Sequence, residues 1–114
     1  MRKWAYLRGP YPYDNEVVYK VMIHTDDDGT YVYLFNSKMT QISFMDEWYE
    51  DVMDALDEWD ARVIPNSWVE IDDPIEGCQY DAVLPIRVKG RNVGKPQWGK
   101  YEQFVNGCWI EYKE

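Results

Sequence analysis

Residue types that do chemistry are sparse and poorly grouped in this chain. The only histidine, His24, falls on an alternating segment beside a turn, so no Ser/His or Cys/His pair can be drawn around more than one imidazole. A lone strand histidine reads as structural or solvated before it reads as catalytic. Asp26-Asp27-Asp28-Gly29 suggests calcium, but it lacks the alternate ligand spacing and the distant bidentate Glu of an EF-hand loop. Consecutive acids in a hairpin turn account for it better. Gly90-Arg91-Asn92-Val93-Gly94-Lys95-Pro96 superficially resembles a phosphate loop. It has neither the four-residue gap nor the following Ser/Thr, and Lys95-Pro96 obstructs the helix that should follow. Cys78 and Cys108 stand 30 residues apart with no second Cys or His near either, which is not zinc spacing. The expectation is two reduced, buried thiols, no metal site, no cofactor and no assignable catalytic residue.

Three other groupings carry binding chemistry. The first is acidic: eight carboxylates and no Lys or Arg lie between Asp46 and Asp60, while the other 99 residues hold 13 acids against 12 bases. On a helix, Glu47, Glu50, Asp54 and Asp57 would share an outer face with Met53 at its rim, suited to a protein partner with a basic surface. The second is basic: no acid occurs from Ala82 to Tyr101, where Arg87, Lys89, Arg91, Lys95 and Lys100 supply five of the twelve bases. These either compensate the acidic helix or contact an anion or nucleic acid, with Trp98 and Tyr101 available for stacking. The third is aromatic: His24, Tyr31 and Tyr33 would line one sheet face, either covered by further chain or open as the site of a small-ligand binder or an enzyme.

Composition bounds these readings. The chain has 114 residues and a net charge of −9, with a sequence pI near 4.5. That charge opposes general affinity for nucleic acid or anionic lipid and favours the compensating role for the basic strip. Six Trp, ten Tyr and three Phe give ample core material for one domain. No segment approaches the roughly 20 apolar residues of a membrane span, and no apolar run of signal-peptide length follows the amino terminus. The chain reads as a soluble, cytoplasmic single domain that does not engage a membrane, and its oligomeric state is not legible.

The elements that must position these residues follow from spacing. Met45, Trp48, Tyr49, Val52, Ala55, Leu56, Trp59 and Val63 step by three or four, which predicts an amphipathic helix over about 44–63. Ser43, with Asp46 three residues later, resembles its capping box, and Pro65-Asn66 ends it. Residues 2–8 alternate weakly as a first strand, and Gly9-Pro10-Tyr11-Pro12-Tyr13-Asp14-Asn15 should break regular structure into a polyproline-like path. Residues 16–24 and 30–36 form a hairpin about the Asp-Gly turn. With Thr25 opposite Thr30, Ile23 meets Val32 and Val21 meets Leu34, so Val17, Val21, Ile23, Val32 and Leu34 build an aliphatic face for the helix.

Residues 68–72 and 78–89 read as further strands, with Pro85 marking an edge or a bulge. Asn106-Gly107 predicts a two-residue hairpin that sets Val105 opposite Cys108, Phe104 opposite Trp109 and Glu102 opposite Glu111. Two hairpins bracketing one helix, with no repeated strand-helix-strand unit, predict an α+β fold. It has a mainly antiparallel sheet of about five to seven strands and one principal helix packed on one face. The function expected is a non-enzymatic protein-binding or regulatory module.

Overall fold

The computed structural model describes all residues from Met1 to Glu114. The fold is α+β: eight strands in two antiparallel sheets, of five and three strands, with a single helix. Chain contacts gather into two compact units, Met1–Asp73 and Pro74–Glu114.

In the first unit β1 (Arg2–Tyr13), β2 (Glu16–Asp26), β3 (Gly29–Phe35), β4 (Met45–Tyr49) and β5 (Val69–Ile71) are ordered β4-β3-β2-β1-β5. The hairpin of β2 and β3 has the register expected from its turn, with Thr25 opposite Thr30, Ile23 opposite Val32 and Val21 opposite Leu34. The two threonine hydroxyls meet at 2.7 Å. Gly29 at the turn has φ +133°, and a Cβ there would come within 2.5 Å of the Trp48 indole nitrogen, so glycine is required on both counts.

Gly9 to Asn15 does not break the sheet. Strand β1 continues to Tyr13 through Pro10 and Pro12, and Asp14, at φ +52°, turns it directly into β2. Prolines are tolerated because the ladder is irregular there: from Tyr6 opposite Lys20 to Tyr11 opposite Val18, β1 advances five residues while β2 advances two. The irregularity also changes which valine faces the core. Val18 is fully buried, whereas Val17, expected on the aliphatic face, is 36% exposed.

The largest correction concerns the helix. Met45 to Tyr49 is strand β4, paired along its length with β3, and helix α1 spans only Val52–Trp59, continued by a 3-10 turn at Asp60–Arg62. Two forces favour the strand. It pairs the outer edge of β3, and extension separates Asp46, Glu47, Glu50 and Asp51, which a helix would stack at like-charge spacings of three and four. The cap is accordingly Asp51, whose side chain accepts from the Asp54 backbone N–H at 3.0 Å, and not Ser43. Ala55, Trp59 and Val63 close the core over Ala5, Leu7, Val18, Val21, Ile23, Val32 and Leu34. The chain then returns along β1 through the Leu7–Val63 bridge and the Ile64 N–H, which donates to the Tyr6 carbonyl.

The second unit holds β6 (Ile86–Val88), β7 (Tyr101–Val105) and β8 (Cys108–Tyr112) in that order. Of the strand expected over 78–89, only three residues pair; Pro85 lies just ahead of β6, which is an edge strand as that proline required. The Asn106-Gly107 turn has φ of +50° and +83°, and the register about it is the expected one. Both cysteines are free thiols, but Cys108, beside that turn, is exposed and not buried. No helix is long and apolar enough to cross a membrane.

Candidate functional site

The residues of the acidic grouping separate by element. Glu47, on β4, accepts hydrogen bonds from the Tyr13 and Tyr49 hydroxyls at 3.2 Å each, and the Trp59 indole N–H donates to the Tyr49 oxygen at 3.1 Å. It therefore ties β1, β4 and α1 together at the rim of the core, away from the helix surface. Burial first, and then the Glu47 charge, push the Tyr49 phenol up to about 12 against the lowering effect of the Trp59 hydrogen bond. Tyr13 shifts upward for the same two reasons. This network was invisible in the sequence because it depends on Met45–Tyr49 being extended.

Glu50, Asp54 and Asp57 remain exposed at the start and along the outer face of α1, with Met53 62% exposed among them. Their carboxylates form no ion pair, whereas neighbouring acids are engaged: Glu58 pairs with Arg62 at 3.0 Å, and Asp60 accepts from the Trp68 indole at 2.9 Å. The surviving surface is thus smaller than the sequence suggested, and it is defined by the acids that nothing in the fold uses.

The aromatic grouping is inside the molecule. His24 and Tyr33 are buried, Tyr31 is half-buried, and the two tyrosine rings stack at 6.0 Å between centroids. Burial, then the nearby Arg2 guanidinium, lower the His24 pKa, so the imidazole is neutral at pH 7. Two cations share this interior. Lys20 donates to the Thr40 carbonyl at 2.6 Å with its ammonium 4.7 Å from the Phe35 ring, and Arg2 donates to the Asp72 carbonyl at 2.8 Å. Charge this deep in a strand has no signature in a sequence pattern.

The basic grouping divides as well. Arg87 is occupied: its Nε donates to Glu102 at 3.1 Å and its guanidinium lies 3.8 Å from the centre of the Trp109 ring. Neutralising Glu102 in this way relieves the like-charge pairing of Glu102 with Glu111. Lys89, Arg91, Lys95 and Lys100 are exposed on the loop from Lys89 to Lys100, together with Trp98 at 73% and Val93 at 66%. That loop is closed by its own backbone. Lys89 N–H donates to the Lys100 carbonyl, Gln97 N–H to Lys89 and Lys95 N–H to Gly90, at 2.9, 2.8 and 2.9 Å.

Beside the loop, a hollow of about 540 Å³ is lined by Lys89, Gly99, Lys100, Tyr101 and the β8 end, Glu111 to Glu114. Sequence reasoning named only part of this lining. Extending the Asn106-Gly107 register to its far end, where Tyr101 meets Tyr112, would have found the rest. No cluster of three or more His, Cys, Asp or Glu has the geometry to hold a metal ion. No family model, curated protein or solved structure matches this chain.

Proposed function

We propose that the protein is a non-enzymatic binding module in which helix α1, with Glu50 just ahead of its cap, presents Met53, Asp54 and Asp57 to a basic surface on a protein partner. The observation that carries this reading is the selective idleness of those side chains. Glu47, Glu58 and Asp60 are bound within the fold, while three neighbouring carboxylates flank an exposed methionine and pair with nothing. Holding like charges together costs stability at each three- or four-residue spacing, about 0.2 to 0.5 kcal/mol per pair, and a cationic partner returns that energy on binding. A small-ligand site around His24, Tyr31 and Tyr33 is less well supported, because His24 and Tyr33 are buried.

The test reverses the face. The triple variant Glu50→Lys, Asp54→Lys, Asp57→Lys should keep the wild-type circular dichroism spectrum, since all three side chains are exposed. Used as bait, the wild type should retain a partner at about 50 mM salt and release it at about 300 mM, and the variant should retain none. A folded variant that keeps the same partner with the same salt dependence would reduce the face to a solvated surface.

A further inference from the structure

The hollow at the end of the three-stranded sheet combines cationic, aromatic and acidic residues in its lining. The backbones of Lys89 and Lys100 are joined by the Lys89 N–H, which donates to the Lys100 carbonyl at 2.9 Å, and both residues line the hollow. Tyr101 and Tyr112, directly opposite each other on β7 and β8, form the aromatic part of the lining. Gly99 lines it without a side chain, and the next residue back, Trp98, stands 73% exposed. At about 540 Å³ the space falls within the range of small-ligand sites.

We propose that this hollow binds a nucleoside phosphate unit, free or at a flexible single strand, with its base against the tyrosines and its phosphate between Lys89 and Lys100. Each part of the ligand answers a part of the lining. The two exposed ammonium groups favour an anion, but a bare anion would leave Tyr101 and Tyr112 without a role. A lipid would need aliphatic lining, and none is present. Stacking on tyrosine or tryptophan is available to any base.

The carboxylate of Glu111, whose Oε1 lies 3.8 Å from the Lys113 ammonium, adds selectivity. It accepts hydrogen bonds only, and so favours bases with an exocyclic amino group, such as cytosine, over uracil. The Tyr112 hydroxyl donates to Glu114 at 2.9 Å and, held up to about 12 chiefly by burial, stays a neutral phenol that does not repel phosphate. A duplex is disfavoured because its bases are hidden, and because an extended polyanion would meet a chain of net charge −9.

The full chain, titrated at low salt with cytidine monophosphate, uridine monophosphate, inorganic pyrophosphate, and oligocytidine and oligouridine of about ten nucleotides, separates the outcomes. Calorimetry and tryptophan fluorescence report binding. Saturable binding of the cytidine nucleotide should exceed that of uridine and pyrophosphate, and should weaken about tenfold or more in the Lys89→Glu, Lys100→Glu double variant. Tyr101→Ala should weaken it several-fold, with Tyr101→Phe retaining it. Equal occupancy by free nucleotide and oligomer identifies a nucleotide site, and binding of the oligomer alone identifies a single-strand site; both support the proposal. Pyrophosphate binding as tightly as the nucleotide, an unchanged affinity in the lysine variant, or no binding of any probe would overturn it. The two lysines are exposed. Their reversal therefore gives a decisive result even if Tyr101→Ala does not fold.

Discussion

Met1–Asp73 carries 16 acidic and six basic side chains, a net charge of −10, whereas Pro74–Glu114 carries five and six, a net charge of +1. The two units are also held together differently. The first buries a continuous apolar cluster of ten residues drawn from β1, β2, β3, α1 and Val63, with Trp59 at 1% exposure as its largest member. The second has only Cys78, Ala82, Ile86 and Val88 as buried apolar residues, and it relies on particular polar contacts: the Arg87–Glu102 pair, the guanidinium against Trp109, and the loop whose carbonyls and N–H groups close on themselves. A unit stabilised by apolar burial can tolerate an acidic, self-repelling surface. A unit stabilised by placed polar groups is sensitive to the loss of those particular charges, Arg87 and Glu102, while its exposed charges remain replaceable.

The sharpest way to break that contrast is to remove its largest side chain. Trp59→Ala deletes the ring that meets Tyr11 edge-on at 5.6 Å and donates to Tyr49, and it should cost the first unit about 3 to 5 kcal/mol. Urea unfolding followed by near-ultraviolet circular dichroism should show an early transition, while the environment of Trp109, against Phe104 and Arg87, persists to higher denaturant. A single coincident transition would show that the two units unfold as one, and that their separate accounting is not an energetic fact.

Backbone strain tests the second unit. Gly90 has φ +80°, and a Cβ there would collide with the Lys95 carbonyl, whose N–H closes the loop back on Gly90. Gly90→Ala should therefore cost about 1 to 3 kcal/mol and loosen the loop. Gly94→Ala is the control, because Gly94 has φ +73° but open space around it, and it should cost only about 1 kcal/mol from the left-handed conformation alone. Equal costs at the two positions would mean that the loop gives way, and that its backbone closure contributes little to its conformation.

What the sequence made legible divides along local and non-local lines. Both β-turns with glycine at their ends specified their hairpins to the residue, because turn geometry and alternation act within a dozen residues of each other. The helix failed where a distant element competed. Met45, Trp48 and Tyr49 satisfy a helical period, but the open edge of β3 offered five residues of ladder, and only the part after Asp51 stayed helical. The same effect dispersed the acidic grouping, turning Glu47 from a surface charge into the acceptor for two tyrosines. The basic strip was legible as composition but not as geometry. Nothing in its spacing distinguishes Arg87, spent on Glu102, from Lys89, which lines a hollow.

The smallest effect, and the one that compares the units most directly, is a tyrosine titration. Each unit contains one phenol held at about 12, Tyr49 in the first and Tyr112 in the second, with burial the leading cause in both. For a folded-state pKa above the unfolded value near 10, the stabilisation is fully present below about pH 10 and is lost as pH rises towards 12, since the unfolded chain ionises first. Tyr49 and Tyr112 should ionise late in ultraviolet difference spectra, and unfolding midpoints should fall across that window.

The secondary causes then separate them. Glu114→Gln removes the negative charge beside Tyr112 while leaving a neutral carbonyl acceptor, and should bring its titration part of the way back, because the burial contribution remains. Glu47→Gln should do the same for Tyr49 and also lower Tyr13, the other phenol that donates to Glu47. Because Glu114 is exposed and Glu47 half-buried, moderate salt should reproduce much of the first effect and little of the second. If salt shifts both equally, the Glu47 network at the rim of the first core is as open to solvent as the end of β8.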